Sequence, residues 1–303
     1  ALAVSSNGNY VVAVGTGFGI YFWNNTLSIP SGSFDRSPDY TTYLARVPLE
    51  YVDISGDGRV IVAAGLGRGS DEVYVLYNLS IKPTPEVKSQ SYGCTYIVGG
   101  LDLSEDGDVF AYACDSRIVY VDAMDMAALW NSTGLKGLIF SLDMSEDGKH
   151  VVAGNNEFLA SPVAVYVFHN IRDATGHINP DYNFTGFEYK DDVFDVSISN
   201  DGDTIAFGTA RSVYILDGKL DLYGVYHGSD YTVSKIVKVS GNGESIGSCG
   251  DSYDSVYYFS IRRPTPLVGG EISSHTIETY RLLSLLIGAI LIAIIVIAIY
   301  RKL

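Results

Sequence analysis

Ser104-Glu105-Asp106-Gly107 lies between two short apolar stretches, Leu101-Asp102-Leu103 before it and Val109–Ala113 after it. Alternating stretches on both sides of an Asp-Gly step predict a β-hairpin. The glycine can take the positive φ that such a turn needs, and the aspartate before it can accept hydrogen bonds from nearby backbone amides. This stretch therefore predicts two antiparallel strands joined by a tight turn.

The same Ser-x-(Asp/Asn)-Gly pattern occurs six times, at intervals of 41–54 residues. The copies begin at Ser5, Ser55, Ser104, Ser145, Ser199 and Ser240. Each is followed by a β-branched and aromatic stretch that predicts a third strand: Ile20–Trp23, Val73–Leu76, Val119–Val121, Val165–Phe168, Val213–Leu216 and Val256–Phe259. A less regular fourth strand fits each interval, for instance at Tyr43–Val47, Met126–Trp130 and Leu222–Tyr226.

Four strands per repeat of this length predict an all-β fold, a six-bladed β-propeller. A solenoid would show shorter and more uniform repeats, and a sandwich would not repeat both patterns in step. A seventh, degenerate blade stays open, although no stretch of sequence is left for it.

The pattern resembles that of the WD-repeat and quinoprotein-like propellers, in which a Ser-x-Asp-Gly hairpin is followed by an aromatic third strand. The resemblance covers residues 1–268 and implies the fold, but it implies no activity. The Trp-Asp dipeptide of true WD repeats is absent, and Gly-His does not recur with the repeats. We expect the ring to begin with an inner strand at Ala1–Val4 and to end with an outer strand near Pro266–Val268, so that each blade is contiguous in sequence.

The C-terminal region predicts a membrane anchor. Residues Leu282 to Tyr300, with Ile290 near the middle, contain no charge, and about 19 residues of helix span the hydrocarbon core of a bilayer. We therefore expect a propeller at 1–268, a stalk at 269–280, and a single transmembrane α-helix with a short tail at 281–303. Arg301 and Lys302 follow the span and only Arg281 precedes it, which predicts a cytoplasmic C-terminus and an extracellular propeller.

Four Asn-x-Ser/Thr sequons support an extracellular propeller, because these are acceptors for N-linked glycans. They lie at Asn24, Asn78, Asn131 and Asn183, which we expect at strand ends or in loops. An extracellular propeller requires an export signal before Ala1, which gives a type I, single-pass protein of the cell membrane.

The composition is acidic, with 35 Asp and Glu against 20 Lys and Arg. A nucleic-acid-binding protein would show a basic stripe, so we expect no nucleic-acid partner. Twenty-three tyrosines and a single glutamine, Gln90, are typical of a surface protein from a hot environment, which suggests an archaeal, thermophilic source. We expect the partners to be other surface or membrane proteins, together with the lipid around the C-terminal helix.

Cys94 and Cys114 flank the hairpin at Gly107, so their ends of the strands come close together. A disulfide between them and a pair of buried free thiols are both open, and Cys249 is expected to be buried.

Asp53, Asp102 and Asp143 stand five residues before the glycine in three successive repeats, on the predicted innermost strand. They are weak candidates for a cation site. The alternative, which we favour, is that they bond backbone amides between blades, because Ala3, Ser197 and Lys238 interrupt the series.

No catalytic triad or metal set can be proposed from the five histidines, and a quinone cofactor would need a stacking tryptophan near the axis. The two tryptophans, Trp23 and Trp130, are both predicted on outer strands. We therefore expect no cofactor and no enzyme activity. Aromatic inserts at Ser28–Tyr43, Asn155–Pro162 and Ile171–Asp192 are candidate contact loops for partners.

The function we favour is that of a binding or scaffolding subunit in a cell-surface or membrane complex. Two alternatives stay open: a hydrolase or oxidoreductase with its site in the propeller channel, and a receptor or spike for a soluble ligand.

Overall fold

The computed structural model of the chain forms 25 strands in six sheets over the residues that it describes. The described residues are 1–15, 17–24, 26–28, 37–43, 46–67, 70–79, 81, 85–95, 98–156, 162–187, 192–227, 236–250, 256–261 and 277–279. Besides the strands, these residues include one short 3₁₀ turn, Thr26–Ser28.

The first three sheets follow the chain in order. Sheet 1 contains β1 (Leu2–Val4), β2 (Val11–Val14), β3 (Ile20–Trp23) and β4 (Tyr40–Thr42). Sheet 2 contains β5 (Leu49–Ile54), β6 (Val60–Gly67), β7 (Ser70–Tyr77) and β8 (Glu86–Gln90). Sheet 3 contains β9 (Val98–Leu103), β10 (Val109–Cys114), β11 (Arg117–Asp122) and β12 (Ala128–Ser132).

The last three sheets continue the same order. Sheet 4 contains β13 (Ile139–Met144), β14 (Val151–Asn155), β15 (Val165–Phe168) and β17 (Tyr182–Phe184). Sheet 5 contains β18 (Val193–Ile198), β19 (Thr204–Thr209), β20 (Ser212–Asp217) and β21 (Leu222–His227). Sheet 6 contains β22 (Ile236–Val239), β23 (Ser245–Cys249), β24 (Val256–Ile261) and β25 (Ile277–Thr279). The prediction that each blade is contiguous in sequence is confirmed for sheets 1, 2, 5 and 6, whereas one strand departs from it between sheets 3 and 4.

One extra strand crosses between sheets. β16 (Gly176–Ile178) comes from the connection between β15 and β17 of sheet 4, but it pairs in parallel with β12 at the outer edge of sheet 3. The insert at Ile171–Asp192, which the sequence had suggested as a contact loop, is therefore largely structural. Its Phe184 packs against Phe207 and Tyr214 of sheet 5, with ring centroids 5.7 and 5.9 Å apart.

The six turns share one hydrogen-bonded geometry. In the third copy, Ser104 Oγ donates to Asp106 Oδ1 at 2.6 Å and accepts from Val109 N at 3.1 Å, while Asp106 Oδ1 also accepts from Asp108 N at 3.1 Å. Gly107 closes the turn with a φ of +76°. The same bonds recur in every copy, and they explain why the serine, the Asp or Asn, and the glycine are kept together.

The hydrophobic core lies between consecutive sheets. Five clusters of buried residues join sheets 1 and 2, 2 and 3, 3 and 4, 4 and 5, and 5 and 6. In β6, Ile61 and Ala63 pack towards sheet 1, whereas Val62 and Ala64 pack towards sheet 3. Alternate side chains point to opposite faces of a strand, so a strand that lies between two neighbouring sheets must be apolar on both faces.

The antiparallel order gives the molecule two distinct faces. In each sheet the first strand runs towards the Ser-x-(Asp/Asn)-Gly turn, and the fourth strand runs away from it. We call the side that carries the six turns the hairpin face and the other side the opposite face. Inner strands of successive sheets contact one another from β1 through β5, β9, β13 and β18 to β22.

Several predicted strand positions were wrong at the outer edge. The fourth strand of sheet 1 is Tyr40–Thr42 rather than Tyr43–Val47, whereas Ile20–Trp23 forms the third strand as predicted. The last strand is Ile277–Thr279, within the segment assigned to the stalk; Pro266–Val268 lie outside the described residues. Outer strands carry the weakest apolar pattern because only part of their surface is buried, which explains these errors.

The predicted membrane helix, including Leu282, Ile290 and Tyr300, lies outside the described residues. Within the described ranges, no helix has the length and apolar character needed to cross a bilayer.

Candidate functional site

The predicted aspartates line the inner strands, where they link neighbouring sheets. Asp53 Oδ2 accepts from Leu103 N at 2.8 Å, and Asp102 Oδ2 accepts from Met144 N at 2.7 Å. Each bond runs from the residue two before one turn serine to the amide one before the next turn serine. This geometry agrees with the alternative favoured from the sequence, in which the aspartates accept hydrogen bonds from backbone amides of the neighbouring blade.

The series continues around the inner strands with changed residue types. Asp143 Oδ2 accepts from Ile198 N at 2.8 Å, and Ser197 Oγ accepts from Val239 N at 3.1 Å. Four consecutive junctions, from sheet 2 to sheet 6, are therefore tied by the same kind of bond. The equivalent residue in sheet 1, Ala3, has no acceptor atom in its side chain.

A lysine and one further carboxylate complete what we call the axial cluster, defined as Asp53, Asp102, Asp143, Asp195 and Lys238. Lys238 Nζ lies 2.7 Å from Asp143 Oδ1, and Asp195 Oδ2 accepts from Val237 N at 2.9 Å. The described residues contain no group of three His, Cys, Asp or Glu side chains that could hold a metal ion. The carboxylates proposed for a cation are instead engaged with amides and with Lys238.

Burial raises the pKa of three carboxyl groups in this cluster. It raises the pKa of Asp53, and it raises the pKa of Asp102 well above the usual range, with the charges of Asp53 and Asp143 adding to the effect. It also raises the pKa of Asp195 to about 6. The carboxylate of Asp143 raises the pKa of Lys238, although 64% of this side chain is open to water. The Lys238 ammonium therefore stays in contact with water while it interacts with the carboxylates of Asp143, Asp102 and Asp195, and water screens this attraction in part.

The two cysteines proposed for a disulfide are bonded, with a Cα–Cα separation of 5.1 Å across 20 residues. Beside them, the buried carboxylate of Asp71 accepts from Ser91 Oγ at 2.6 Å and from Tyr92 N at 2.9 Å, and also from Cys94 N at 3.0 Å. Burial alone would raise the pKa of Asp71, but these bonds outweigh it and the pKa is lowered. The disulfide and the bonds to Asp71 together fix the segment that leads into sheet 3. The third cysteine, Cys249, is free and half-buried.

The four sequon asparagines occupy different environments. Asn183 lies in β17 with an exposed side chain, while Asn131 lies in β12, between β11 and β16, and is half-buried. Asn24 and Asn78 directly follow third strands and are half-buried. The expectation that all four lie at strand ends or in loops is therefore wrong for Asn131 and Asn183.

A cavity of about 630 Å³ opens on the hairpin face at the junction of sheets 4 and 5. We call it the histidine cleft. Sheet 4 and its outer connection contribute His150, His169, Asn170, Asp181 and Tyr182, and sheet 5 with its turns contributes Asp201, Asp203, Asp217, Gly218, Lys219 and Tyr223.

The two histidines of the cleft form a hydrogen-bonded pair. Nδ1 of His150 lies 2.6 Å from Nδ1 of His169, and Nε2 of His169 lies 2.6 Å from the carbonyl oxygen of Gly218. A carbonyl can only accept, so Nε2 of His169 carries the hydrogen and its Nδ1 accepts from His150 when both rings are neutral. Burial, followed by the neighbouring His169, lowers the pKa of His150, which favours the neutral form of the His150 ring.

Register explains how two distant histidines meet. Val151 of β14 pairs with Phe168 of β15, so the next residues outward, His150 and His169, also face each other. His150 occupies the position that Tyr10, Val60 and Val109 hold in sheets 1 to 3, where each packs on the glycine of the next turn. In sheet 4 that contact is between His150 and Gly202. Sequence reasoning treated each histidine alone and missed the pair, although the alignment of the two repeated patterns could have revealed it.

Comparisons with known proteins report on the fold. No protein-family model matches the chain, and no curated protein matches it. Among solved structures it is similar to U3-55K and to the WD40 repeats of RRP9, each at 15% identity with a TM-score of 0.64, over 82% of this chain and 72% of the other. It is also similar to the β-propeller domain of Cps50 (Swd1) from Myceliophteria thermophila, at 14% identity with a TM-score of 0.63, over 86% of this chain and 82% of that one. The chain therefore has the β-propeller fold of the WD-repeat proteins.

Proposed function

We propose that this protein is a membrane-anchored, cell-surface β-propeller of six blades that binds other proteins as a scaffolding subunit. A binding role agrees with the character of WD40 propellers, which are typically non-enzymatic scaffolds for protein interaction. The observation that carries the proposal is the series of bonds from inner-strand side chains to neighbouring sheets. These bonds make a rigid platform of the kind on which contact surfaces can be held.

Six blades are supported by the axial cluster. Lys238 of sheet 6 contacts Asp143 of sheet 4, and its charge also interacts with Asp102 of sheet 3 and Asp195 of sheet 5. Side chains from nonadjacent sheets meet in this way when the sheets surround a common axis.

Membrane anchoring is supported by the sequence of Leu282–Tyr300 and by the direction of β25. This strand pairs antiparallel with β24 and runs away from the hairpin face, ending at Thr279. Only two residues, 280 and 281, then separate it from the uncharged segment. The opposite face would thus lie against the bilayer, and the hairpin face would point away from it.

The charge of the two faces agrees with this orientation. The six turns carry nine acidic residues, Asp57, Glu105, Asp106, Asp108, Glu146, Asp147, Asp201, Asp203 and Glu244, and only two basic ones, Arg59 and Lys149. The described residues of the loops between second and third strands carry Asp115 and Arg211 alone. Anionic lipid repels acidic surfaces, so the acidic turns support an orientation in which the hairpin face points away from the membrane.

The same face offers an apolar contact surface, which we call the mouth surface: Leu2, Phe140, Phe194 and Ile236, at the starts of the inner strands of sheets 1, 4, 5 and 6. Phe140 and Phe194 sit at β-bulges, which turn their side chains outward, and are 36% and 37% exposed. Because this surface would face the bilayer, we propose that its partner is another membrane protein. Extracellular placement is supported by the disulfide and by the exposed Asn183 sequon.

Blue-native electrophoresis of the full chain in mild detergent tests this function. The native chain should migrate in a high-mass complex, and Phe140→Ser with Phe194→Ser should release it. Leu222→Ser changes a more exposed apolar residue at the start of β21 on the hairpin face; it is the control and should leave the complex intact. Migration of the native chain as a free monomer would contradict the scaffold role, and protection of the propeller from protease on intact cells would contradict the topology.

A further inference from the structure

We propose that the histidine cleft binds a guanidinium or ammonium side chain presented by a partner protein. This inference rests on the proposed binding function and gives it a second, chemically defined contact on the hairpin face. The cleft is separate from the mouth surface, because the two lie on opposite faces of the sheets.

The size and shape of the cleft suit one extended side chain with part of its backbone. Its volume of about 630 Å³ falls in the range of about 300 to 1,000 Å³ that is typical of ligand sites. His150 and His169 hold the paired positions that Val60 and Tyr77 hold in sheet 2. At the junction of sheets 2 and 3, for comparison, Tyr77 fills the corresponding region and its hydroxyl donates to Ala123 O.

The charge of the lining selects a cation. Four carboxylates, those of Asp181, Asp201, Asp203 and Asp217, line the cleft beside a single ammonium, that of Lys219. His150 adds little positive charge near neutral pH, because burial and the neighbouring His169 lower the pKa of His150. An anionic ligand would be repelled, and a neutral sugar would make no use of this charge.

Two of the carboxylates are held in place by the backbone. Asp181 Oδ2 accepts from His169 N at 2.7 Å, and Asp217 Oδ1 accepts from Lys219 N at 2.9 Å and Asp221 N at 2.8 Å. The other oxygen of each carboxylate receives no hydrogen bond from the described residues. Oriented carboxylate oxygens are the acceptors that a guanidinium group binds best.

Aromatic rings supply the remaining wall. Tyr182 is 38% exposed and packs edge-on against His169, with ring centroids 6.0 Å apart, and Tyr223 lines the sheet 5 side. Tyrosine faces attract cations and accept the apolar stem of an arginine or lysine. The cleft thus combines oriented negative charge with surfaces for the rest of the side chain.

The repeat provides a matched pair of variants. Asp201 lines the cleft, whereas Asp57 holds the same place in the turn of sheet 2, away from it. In both turns Oδ1 accepts from the serine hydroxyl and from the amide two residues on. Asn7 and Asn242 make the same bonds in their own turns, so Asp→Asn removes the charge and preserves the turn.

The test is isothermal titration of the full chain in detergent with the peptide acetyl-Gly-Arg-Gly-amide, and with its citrulline counterpart, which has the same shape without the charge. We expect saturable binding of the arginine peptide only. Binding should weaken about tenfold with Asp201→Asn and more with Asp181→Asn plus Asp217→Asn, while Asp57→Asn leaves it unchanged and thermal midpoints stay the same.

Equal binding of both peptides, no binding at millimolar peptide, or an equal effect of Asp57→Asn and Asp201→Asn would overturn the inference. Saturable binding of a neutral disaccharide in place of the arginine peptide would reassign the cleft to carbohydrate. If the peptide fails to bind while the high-mass complex persists, the cleft assignment fails and the scaffold role stands. If no complex forms but Asp201→Asn still weakens peptide binding, the reverse holds.

Discussion

Lys238 and Asp143 form an ion pair of 2.7 Å between side chains that stand 95 residues apart. Each is the residue two before a turn serine, one in sheet 6 and the other in sheet 4. Equivalent positions in nonadjacent sheets can meet only if both side chains point towards a shared axis. The pair therefore indicates that the inner strands of sheets 4 and 6 face a common axis.

Replacement of Lys238 by Met should destabilise the protein. It leaves four carboxylates of the axial cluster without a cation. We expect the free energy of unfolding to fall by roughly 1 to 3 kcal/mol at pH 7. This is less than the cost of breaking a fully buried pair, because water reaches the Lys238 ammonium. The loss should shrink at pH 5 as carboxylates take up protons. Urea titration of the full chain in detergent measures it, with Lys219→Met, an exposed lysine, as the control. An equal loss at both pH values would show that charge is not the cause.

Asp195→Asn should stabilise the protein at high pH. The amide oxygen can still accept from Val237 N, and the substitution removes a buried charge. The folded-state pKa of Asp195, about 6, lies above the ordinary value of 3.8, so the stabilising contribution of the protonated carboxyl is full below 3.8 and is lost as pH rises through 6.

We expect a gain of roughly 1 to 3 kcal/mol at pH 8 and almost none near pH 4. Free energies of unfolding of the native chain and the variant, measured across this range, decide the matter. A difference that does not depend on pH would contradict the assignment.

Loss of the Cys94–Cys114 disulfide should lower stability by about 3 kcal/mol, since it closes a loop of some twenty residues. Dithiothreitol should lower the thermal midpoint of the native chain and of Cys249→Ser by the same amount. It should have no effect on the variant that lacks both Cys94 and Cys114. A midpoint that is insensitive to reductant in the native chain would mean that the bond does not form.

Gly148→Ala should destabilise by roughly 1 to 3 kcal/mol because the turn needs a left-handed residue there. Gly148 has a φ of +71°, and a Cβ would lie 2.8 Å from Val109 Cγ2 and 3.0 Å from Tyr120 Oη. Gly15→Ala is the control, since no atom lies within 4 Å of its added Cβ. Thermal melts of the two variants should differ clearly, and equal midpoints would contradict the shared turn geometry.

Glycan occupancy should follow exposure. Asn183 has an exposed side chain, whereas Asn131 is half-buried in a strand with neighbours on both sides. We expect peptide mass spectrometry of the protein from its own membranes to find a glycan on Asn183 and none on Asn131. Asn183→Gln should abolish the corresponding mass shift. Occupancy of Asn131 with an unmodified Asn183 would contradict the accessibility argument.

The repeated turns could be predicted from the sequence because their bonds are local. The turn hydrogen bonds of Ser104 and Asp106 join residues within five positions along the chain. A short sequence pattern is therefore enough to predict the turn geometry. The inner-strand aspartates were also recognised, and the favoured reading of Asp53 and Asp102 matches their bonds to the next sheet. Their partners are backbone amides, which every residue except proline provides.

The remaining features depend on contacts that no local pattern records. Pairing of Lys238 with Asp143 depends on how sheets 4 and 6 curve around a shared axis, and β16 joins sheet 3 from the connection between β15 and β17 of sheet 4. The histidine pair needs the register of two strands as well as the repeat. β25 was displaced from its expected position because three residues at a sheet edge leave almost no apolar signature.

Apart from β16, each sheet takes its strands from one continuous stretch, and among the described residues no strand from the beginning of the chain pairs with one from its end. Lys238 in sheet 6 and Ala3 in sheet 1 hold the positions that carry an oxygen acceptor in sheets 2 to 5, so neither side chain can accept the bond that ties those sheets. If a bound partner pulls on a propeller that is anchored in the membrane through the segment after β25, the force acts on sheet 6, the last sheet of the series. We expect such a load to displace sheet 1 before it separates sheets 2 to 6, which are joined by side-chain hydrogen bonds.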